Sequence, residues 1–295
     1  MTTDLDDAAA TFGEVRPRLF GIAYRMLGSV HEAEDLIQDV WLKWQAYDRS
    51  TVKEPAAFLA TMTTRLAINA TQSARVRRET YIGPWLPEPV DTSADPALGA
   101  ERGEALELAV LLLLEKLSPT QRAAYVLREA FGYPYDEIAE IVQLSEANVR
   151  QLVSRSRKRL ADERREPVDG AEQRRLLNAF LAAAQQGDLA SLEQLLAADV
   201  ASYSDGGGVA RASRIPVLGR TQVSKYVASF ASRFWVGTTL TWVETNGRSA
   251  VLIARDGVAF ALVTVSASAE GIDQIQWAMN PAKLTAVTPP GAALS

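Results

Sequence analysis

The stretch from Tyr135 to Leu160, YDEIAEIVQLSEANVRQLVSRSRKRL, constrains this chain more than any other. Ile138, Ile141 and Val142 fall at i, i+3 and i+4, one face of a 3.6-residue period. Leu144-Ser145 breaks that pattern, and the Ser145 hydroxyl suits the N-cap of a second helix. The second helix carries Val149, Leu152 and Val153 on one side. Its other sides carry Asn148, Arg150, Gln151, Ser154, Arg155, Arg157, Lys158 and Arg159. A short helix, a tight turn and a longer helix with an apolar inner and a basic outer face form the layout of a helix-turn-helix. Arg, Asn and Gln make bidentate bonds to base edges, and Arg and Ser bond phosphates. The same pattern fits an ordinary amphipathic pair with a solvated basic face, so the rest of the chain has to decide.

A chain of 295 residues with 47% hydrophobic content suits two or three modest domains with real cores. It holds no cysteine, which excludes disulfides, thiolate metal sites and thiol nucleophiles. The acidic start, MTTDLDDAAATFGEV, lacks the pattern of a signal peptide, and no apolar run is long enough for a membrane span. The expectation is a soluble cytoplasmic protein with no membrane contact. Net charge is -5, awkward for a DNA binder, since phosphates need cations. The charge is uneven, however. Arg65, Arg75, Arg77 and Arg78 form one basic cluster, and Arg150 to Arg159 holds another, while Glu32, Glu34, Asp35 and Asp39 concentrate acid. Local basic patches inside an acidic whole imply weak DNA affinity alone and a second partner.

Residues from about 10 to 80 read as all-helical. A helix over Phe12–Leu27 ends at Gly28, and Ser29 with Glu32 forms a capping-box start. The following helix turns Leu36, Ile37, Val40, Trp41 and Trp44 inward and leaves Asp35, Gln38 and Asp39 on another face. Pro55 opens a further helix that ends in the arginine cluster. Residues 81–103, with four prolines and three glycines, read as a linker. Trp85, framed by Pro84 and Pro87, is out of place in a mere spacer and marks a docking segment. Helical patterning returns at Glu104–Leu117, and Ser118-Pro119 starts the next helix.

From Ala171 the class changes. Two helical stretches, 171–186 and 189–197, precede strand-like runs at 200–204, 238–244, 250–254, 258–266 and 272–278, with a helix over 219–234 between the first two runs. Asn246-Gly247 and Asp256-Gly257 are hairpin dipeptides. The expectation is an α+β domain with a mostly antiparallel sheet. Tyr203 and Asp205 are polar groups at a strand end, and Trp235, Trp242 and Trp277 are candidates for lining a cavity. Asp205 before three glycines also reads as a simple turn in which the carboxylate bonds local amides. The only histidine is His31, far from these groups, and no acid/base pair stands out.

RLFGIAYRMLGSVHEAEDLIQDVWLKW and LSPTQRAAYVLREAFGYPYDEIAEIVQLSEANVRQLVSRSRKRL, in this order and spacing, resemble regions 2 and 4 of a bacterial extracytoplasmic-function (ECF) sigma factor. The resemblance covers roughly residues 10–165. WLPEP at Trp85–Pro89, DGGG at Asp205–Gly208 and NPAKL at Asn280–Leu284 resemble the ECF41 group, which carries a cone-shaped, SnoaL-like α+β domain. The implied organisation is a region 2 domain at 8–80, the linker at 81–103, a region 4 domain at 104–166 and the SnoaL-like domain at 171–288. Departures are visible. Gln143 stands where the turn usually has glycine, so another backbone geometry is expected there. Gln151-Leu152 replaces Ser-Arg, Val209 replaces a lysine, and Ala282 replaces an aspartate.

The resemblance implies that Asp35, Leu36, Gln38, Asp39 and Trp41 dock on the β′ coiled coil of core RNA polymerase. It implies that Arg65, Asn69, Arg75, Arg77 and Arg78 serve -10 promoter opening. In region 4, Asn148, Arg150, Gln151 and Arg155 would lie near base edges of the -35 element, with Ser145, Arg157 and Arg159 toward phosphates. Trp85, Leu86, Pro87, Glu88 and Pro89 would meet Asp205, Gly206, Gly207, Gly208, Asn280, Pro281, Lys283 and Leu284, so that the C-terminal domain stands in for an anti-sigma factor, with Trp85 as the anchor. No cofactor, metal or catalytic role is implied. Two other readings compete: a DNA-binding regulator independent of polymerase, whose SnoaL-like domain senses a small ligand, and a SnoaL-type enzyme tethered to a DNA-binding module. The acidic helix and negative net charge oppose the first, and the lack of an acid/base pair opposes the second.

Overall fold

The computed structural model describes residues 2–92, 107–163, 165–287 and 293–294. The expected second half of the linker, the first residues of the helix after it, and the boundary residues 164 and 288 lie outside the described residues. The chain divides into two compact units, Met1–Glu79 with Asp95–Glu163, and Thr80–Ala94 with Arg164–Ser295. The linker segment 80–94 therefore belongs with the C-terminal part of the chain.

The first unit is helical. Helix α1 (Thr2–Leu27) stops at Gly28, whose φ of 66° lies in the left-handed region that glycine tolerates. Helix α2 (Val30–Ala46) starts on Ser29, whose hydroxyl accepts from Glu32 N at 3.1 Å, while the Glu32 carboxylate pairs with Arg77. Helix α3 (Pro55–Glu79) completes a bundle whose core holds Leu19, Ile22, Met26, Leu36, Ile37, Val40, Trp44 and Leu59. Each such side chain contributes about 1.5–3 kcal/mol on leaving water. Trp44 is buried to 2% exposure and still donates its indole N–H to the Ala8 carbonyl at 3.2 Å.

Helices α4 (Leu108–Leu114), α5 (Pro119–Glu129), α6 (Tyr135–Val142) and α7 (Glu146–Asp162) complete this unit. Ser118 and Gln121 form a reciprocal capping box at the start of α5, with proline in its first turn. Ser145 caps α7 by accepting from Asn148 N at 3.3 Å. The expectation of an unusual geometry at Gln143 is corrected. This residue takes φ 58° and ψ 47°, the left-handed conformation a glycine would take. The Leu144 amide reaches back to the Ala139 carbonyl at 3.0 Å, so the turn keeps its shape at a backbone cost of about 1–2 kcal/mol.

The second unit is α+β. Helices α8 (Gly170–Gln186) and α9 (Leu189–Leu195) lead into β1 (Leu196–Asp205), which starts where a helix was expected to run on to Ala197. Then come β2 (Val217–Leu218), α10 (Arg220–Ser229) and α11 (Ala231–Phe234); the expected single helix over 219–234 is broken at Phe230. Strands β3 (Thr238–Thr245), β4 (Arg248–Arg255), β5 (Val258–Ser268) and β6 (Gly271–Ala278) follow, then α12 (Pro281–Leu284) and β7 (Ala293–Leu294). The sheet order is β2-β1-β6-β5-β4-β3, with β7 beside β5. It is antiparallel except where β1 meets β6 and β5 meets β7. Asn246-Gly247 and Asp256-Gly257 turn the hairpins with positive φ at all four residues.

One sheet face packs on α8 and α10 through Leu177, Phe180, Val223, Val227, Val263 and Ile275. Trp235 and Trp277, candidates for a cavity lining, are instead core. Their rings lie 6.3 Å apart, and Phe234 packs on both. Trp242 is half-buried beneath the Arg174 guanidinium, 4.1 Å from its ring. The opposite face is covered by Leu284 of α12 and by Val287.

Candidate functional site

The chemistry-bearing residues of the second unit converge where β1 ends. The parallel register sets Asp205 beside Ala278, and the Met279 amide donates to the Asp205 carbonyl at 2.8 Å. That register brings Asn280 and α12 to the same end of the sheet. Asp205 has 0% exposure and four donors: Tyr81 Oη at 2.5 Å, Leu86 N at 2.9 Å, Gly207 N at 3.1 Å and Lys283 Nζ at 2.7 Å. Lys283 also donates to the Leu86 carbonyl at 2.5 Å. Its ammonium sits 4.4 Å from the Trp85 ring and 5.0 Å from the Tyr81 ring. Both charges are thus paired and hydrogen-bonded, which is the condition for keeping them out of water.

Asn280 ties the cluster together. Its Nδ2 donates to Tyr81 Oη at 3.0 Å, and its Oδ1 accepts from Ala282 N to cap α12. The Tyr81 phenol is pushed well above its ordinary value, first by burial and then by its bond to the Asp205 carboxylate. The glycines of the DGGG run allow the close approach. A side chain on Gly207 would run into Asn280, and a Cβ on Gly208 would lie 2.9 Å from Ile82. Val209 and Ala282 are exposed and take no part in holding Asp205.

A second contact holds the same segment. Val90 N donates to Asn246 Oδ1 at 2.9 Å, and Asn246 N returns a bond to the Val90 carbonyl at 3.0 Å. Asp91 bridges Thr245, so the segment adds a short antiparallel piece to edge strand β3. Within WLPEP the buried residues are Leu86, Pro87 and Pro89, while Trp85 and Glu88 are half-buried. Trp85, the expected anchor, lies over the Lys283 ammonium, and its neighbour Leu86, at 2% exposure, is buried more deeply. Sequence reading missed Tyr81, Asn246 and Arg165. Arg165 is gripped by Asp199 at 2.9 Å, Glu270 at 3.1 Å and Asp273 at 2.5 Å, which ties the entry of the C-terminal segment to β1 and β6.

In the first unit, Asp35, Gln38 and Asp39 are exposed on α2. Trp41 is half-buried with its ring 5.0 Å from Phe12, and Leu36 has 6% exposure. Leu36 is therefore core rather than part of an exposed docking face, unlike Asp35, Gln38 and Asp39 on the same helix. On α3, Asn69 and Arg75 are exposed. Arg77 pairs with Glu32, and Arg78 pairs with Glu115 and bonds the Leu27 carbonyl. Arg65 reaches the other way, donating Nε to the Ile141 carbonyl and Nη2 to the Glu140 carbonyl, both at 3.0 Å. Arg122 of α5, 2% exposed, donates to the Met26 carbonyl at 2.6 Å and to Glu115 at 2.7 Å. Each half of this unit thus caps the C-terminal carbonyls of a helix in the other, where the helix dipole favours a cation. On α7, Asn148, Arg150, Gln151, Arg155, Arg157 and Arg159 are exposed, Val149 and Val153 are buried, and the Ser145 hydroxyl is used by its cap.

Residues 11–77 match the family Sigma-70 region 2, and residues 107–160 match Sigma-70, region 4. The ECF RNA polymerase sigma factor SigJ of Mycobacterium tuberculosis is 36% identical over 235 residues, 77% of this chain and 74% of its own length. The chain belongs to the ECF RNA polymerase sigma factors. The crystal structure of M. tuberculosis SigJ superposes with a TM-score of 0.76 at 30% identity, covering 95% of this chain and 99% of that one. The probable ECF sigma factor SigI of M. tuberculosis is 28% identical over 285 residues, 95% of each chain. As an ECF sigma factor the chain directs RNA polymerase to promoters, a task shared between polymerase binding and promoter DNA binding. Its helical sigma domains are joined to a sheet-rich C-terminal domain. No helix among the described residues is long and apolar enough to cross a membrane.

Proposed function

We propose that this sigma factor is restrained by its own C-terminal unit, which holds the linker between the two sigma domains. The observation that carries this reading is the buried Asp205–Lys283 pair closed around Leu86. Reading -10 and -35 elements together requires the two sigma domains to span about 25 base pairs, roughly 85 Å of duplex. A compact unit of this size is only about 40 Å across. Regions 2 and 4 must therefore separate, and Arg65 and Arg122 must release their carbonyls. A linker held at Leu86 and Val90 limits that separation.

In the open state, Asp35, Gln38 and Asp39 meet the basic β′ coiled coil, with Trp41 beside them. Arg65, freed from α6, joins Asn69 and Arg75 on -10 DNA, while the exposed face of α7 enters the -35 major groove. Arg159 supplies a phosphate contact, and Arg77 and Arg157 join it only on leaving Glu32 and Glu129. The C-terminal unit works by contact rather than by catalysis, and the whole acts in the cytoplasm with the polymerase. Transcription with purified core polymerase tests the reading: promoter-specific transcripts should require this protein, and their absence would sink it.

A further inference from the structure

We propose that Arg150 reads a guanine in the upstream promoter element and that Tyr135 and Glu146 are positioning residues that hold it for that task. The inference rests on α6 and α7 acting as the promoter-reading helix-turn-helix. The Arg150 guanidinium lies 4.5 Å from the centroid of the Tyr135 ring. The Arg128 guanidinium lies at the same distance from the same ring and donates to the Tyr133 carbonyl at 2.9 Å. Tyr135 is half-buried, so α5 fixes the ring and the ring fixes Arg150. From its own helix, Glu146 Oε1 accepts from Arg150 Nε at 3.1 Å and also from Nη2.

Three features turn this into a base reader. Glu146 occupies the Nε–Nη2 edge of the guanidinium, which leaves the end-on edge for two acceptors in one plane. Guanine offers two such acceptors, O6 and N7, in the major groove. Beside Glu146 the pair carries no net charge, so it is a poor phosphate contact, since that role draws on uncompensated cations. Finally, the Arg150 side chain is 59% exposed at the second turn of α7, yet its rotamer is restrained from two sides. An arginine already ordered loses less freedom on docking than a free one.

The test uses holoenzyme made from full-length protein and core RNA polymerase, selecting from a duplex library randomised across the upstream element. Wild type should enrich a motif with guanine at one position. Arg150→Ala should lose that guanine preference and keep the others. Tyr135→Leu and Glu146→Gln should each weaken it by about tenfold at that position alone, and Tyr135→Phe should retain it. An enriched motif unchanged by Arg150→Ala overturns the assignment of the reader. Uniform weakening at every position in Tyr135→Leu and Glu146→Gln overturns the positioning role. No enriched motif with wild type would remove the helix-turn-helix reading itself, and this proposal with it.

Discussion

Lys283 Nζ and Asp205 Oδ2 stand 2.7 Å apart with side-chain exposures of 7% and 0%, one from α12 and the other from the end of β1. The Leu86 backbone completes the pair from the linker, its amide on Asp205 and its carbonyl on Lys283. Lys283→Met leaves the carboxylate buried with no cation beside it. The docked linker should lose about 3–5 kcal/mol. Amide hydrogen exchange at Leu86 and Val90 checks this, with faster exchange expected at both.

Tyr81 gives the clasp a pH limit. Its phenol stays protonated in the folded protein at pH values where an unfolded tyrosine ionises, near 10. The raised value means that its contribution is fully present below about pH 10 and is lost as pH climbs toward the folded value. Protease sensitivity of the 80–92 segment should rise above about pH 10, and Tyr81→Phe should flatten that rise.

Arg65→Ala removes two bonds to the end of α6. The side chain is exposed, so the closed form of the first unit should weaken by only about 1 kcal/mol. The chain has no cysteine, which permits dyes at Lys53→Cys and Lys158→Cys. Energy transfer between them should fall in Arg65→Ala.

Gln143→Gly should stabilise the first unit by about 0.5–1 kcal/mol, since glycine takes φ 58° without the Cβ penalty and loses part of that gain in the unfolded chain. Thermal unfolding measures it.

Local chemistry made much of the fold legible. Ser29, Ser118 and Ser145 cap helices through bonds within three residues, and Asn246-Gly247 and Asp256-Gly257 turn hairpins by their own backbone preferences. The candidate site was legible only in part. Asp205 reads as a turn residue, and its bond to Gly207 N is indeed local. Its partners Tyr81 and Lys283 lie 124 and 78 residues away; Lys283 arrives through sheet register and Tyr81 through the linker segment, and no periodicity encodes either. Trp85 stood out because it is large, yet burial fell to Leu86, whose amide and carbonyl are what the ion pair holds. Gln143 misled because αL is only costly for a side chain, and the pattern of turn hydrogen bonds outweighed that cost.

Side-by-side promoter-directed transcription by full-length wild type and Lys283→Met, each with the same core RNA polymerase and template, tests the central claim most directly. If the C-terminal unit restrains the sigma domains through the clasp on Leu86, Lys283→Met should give severalfold more transcript at equal protein concentration. Equal output from the two proteins, with faster exchange at Leu86 showing that the clasp had opened, would contradict it.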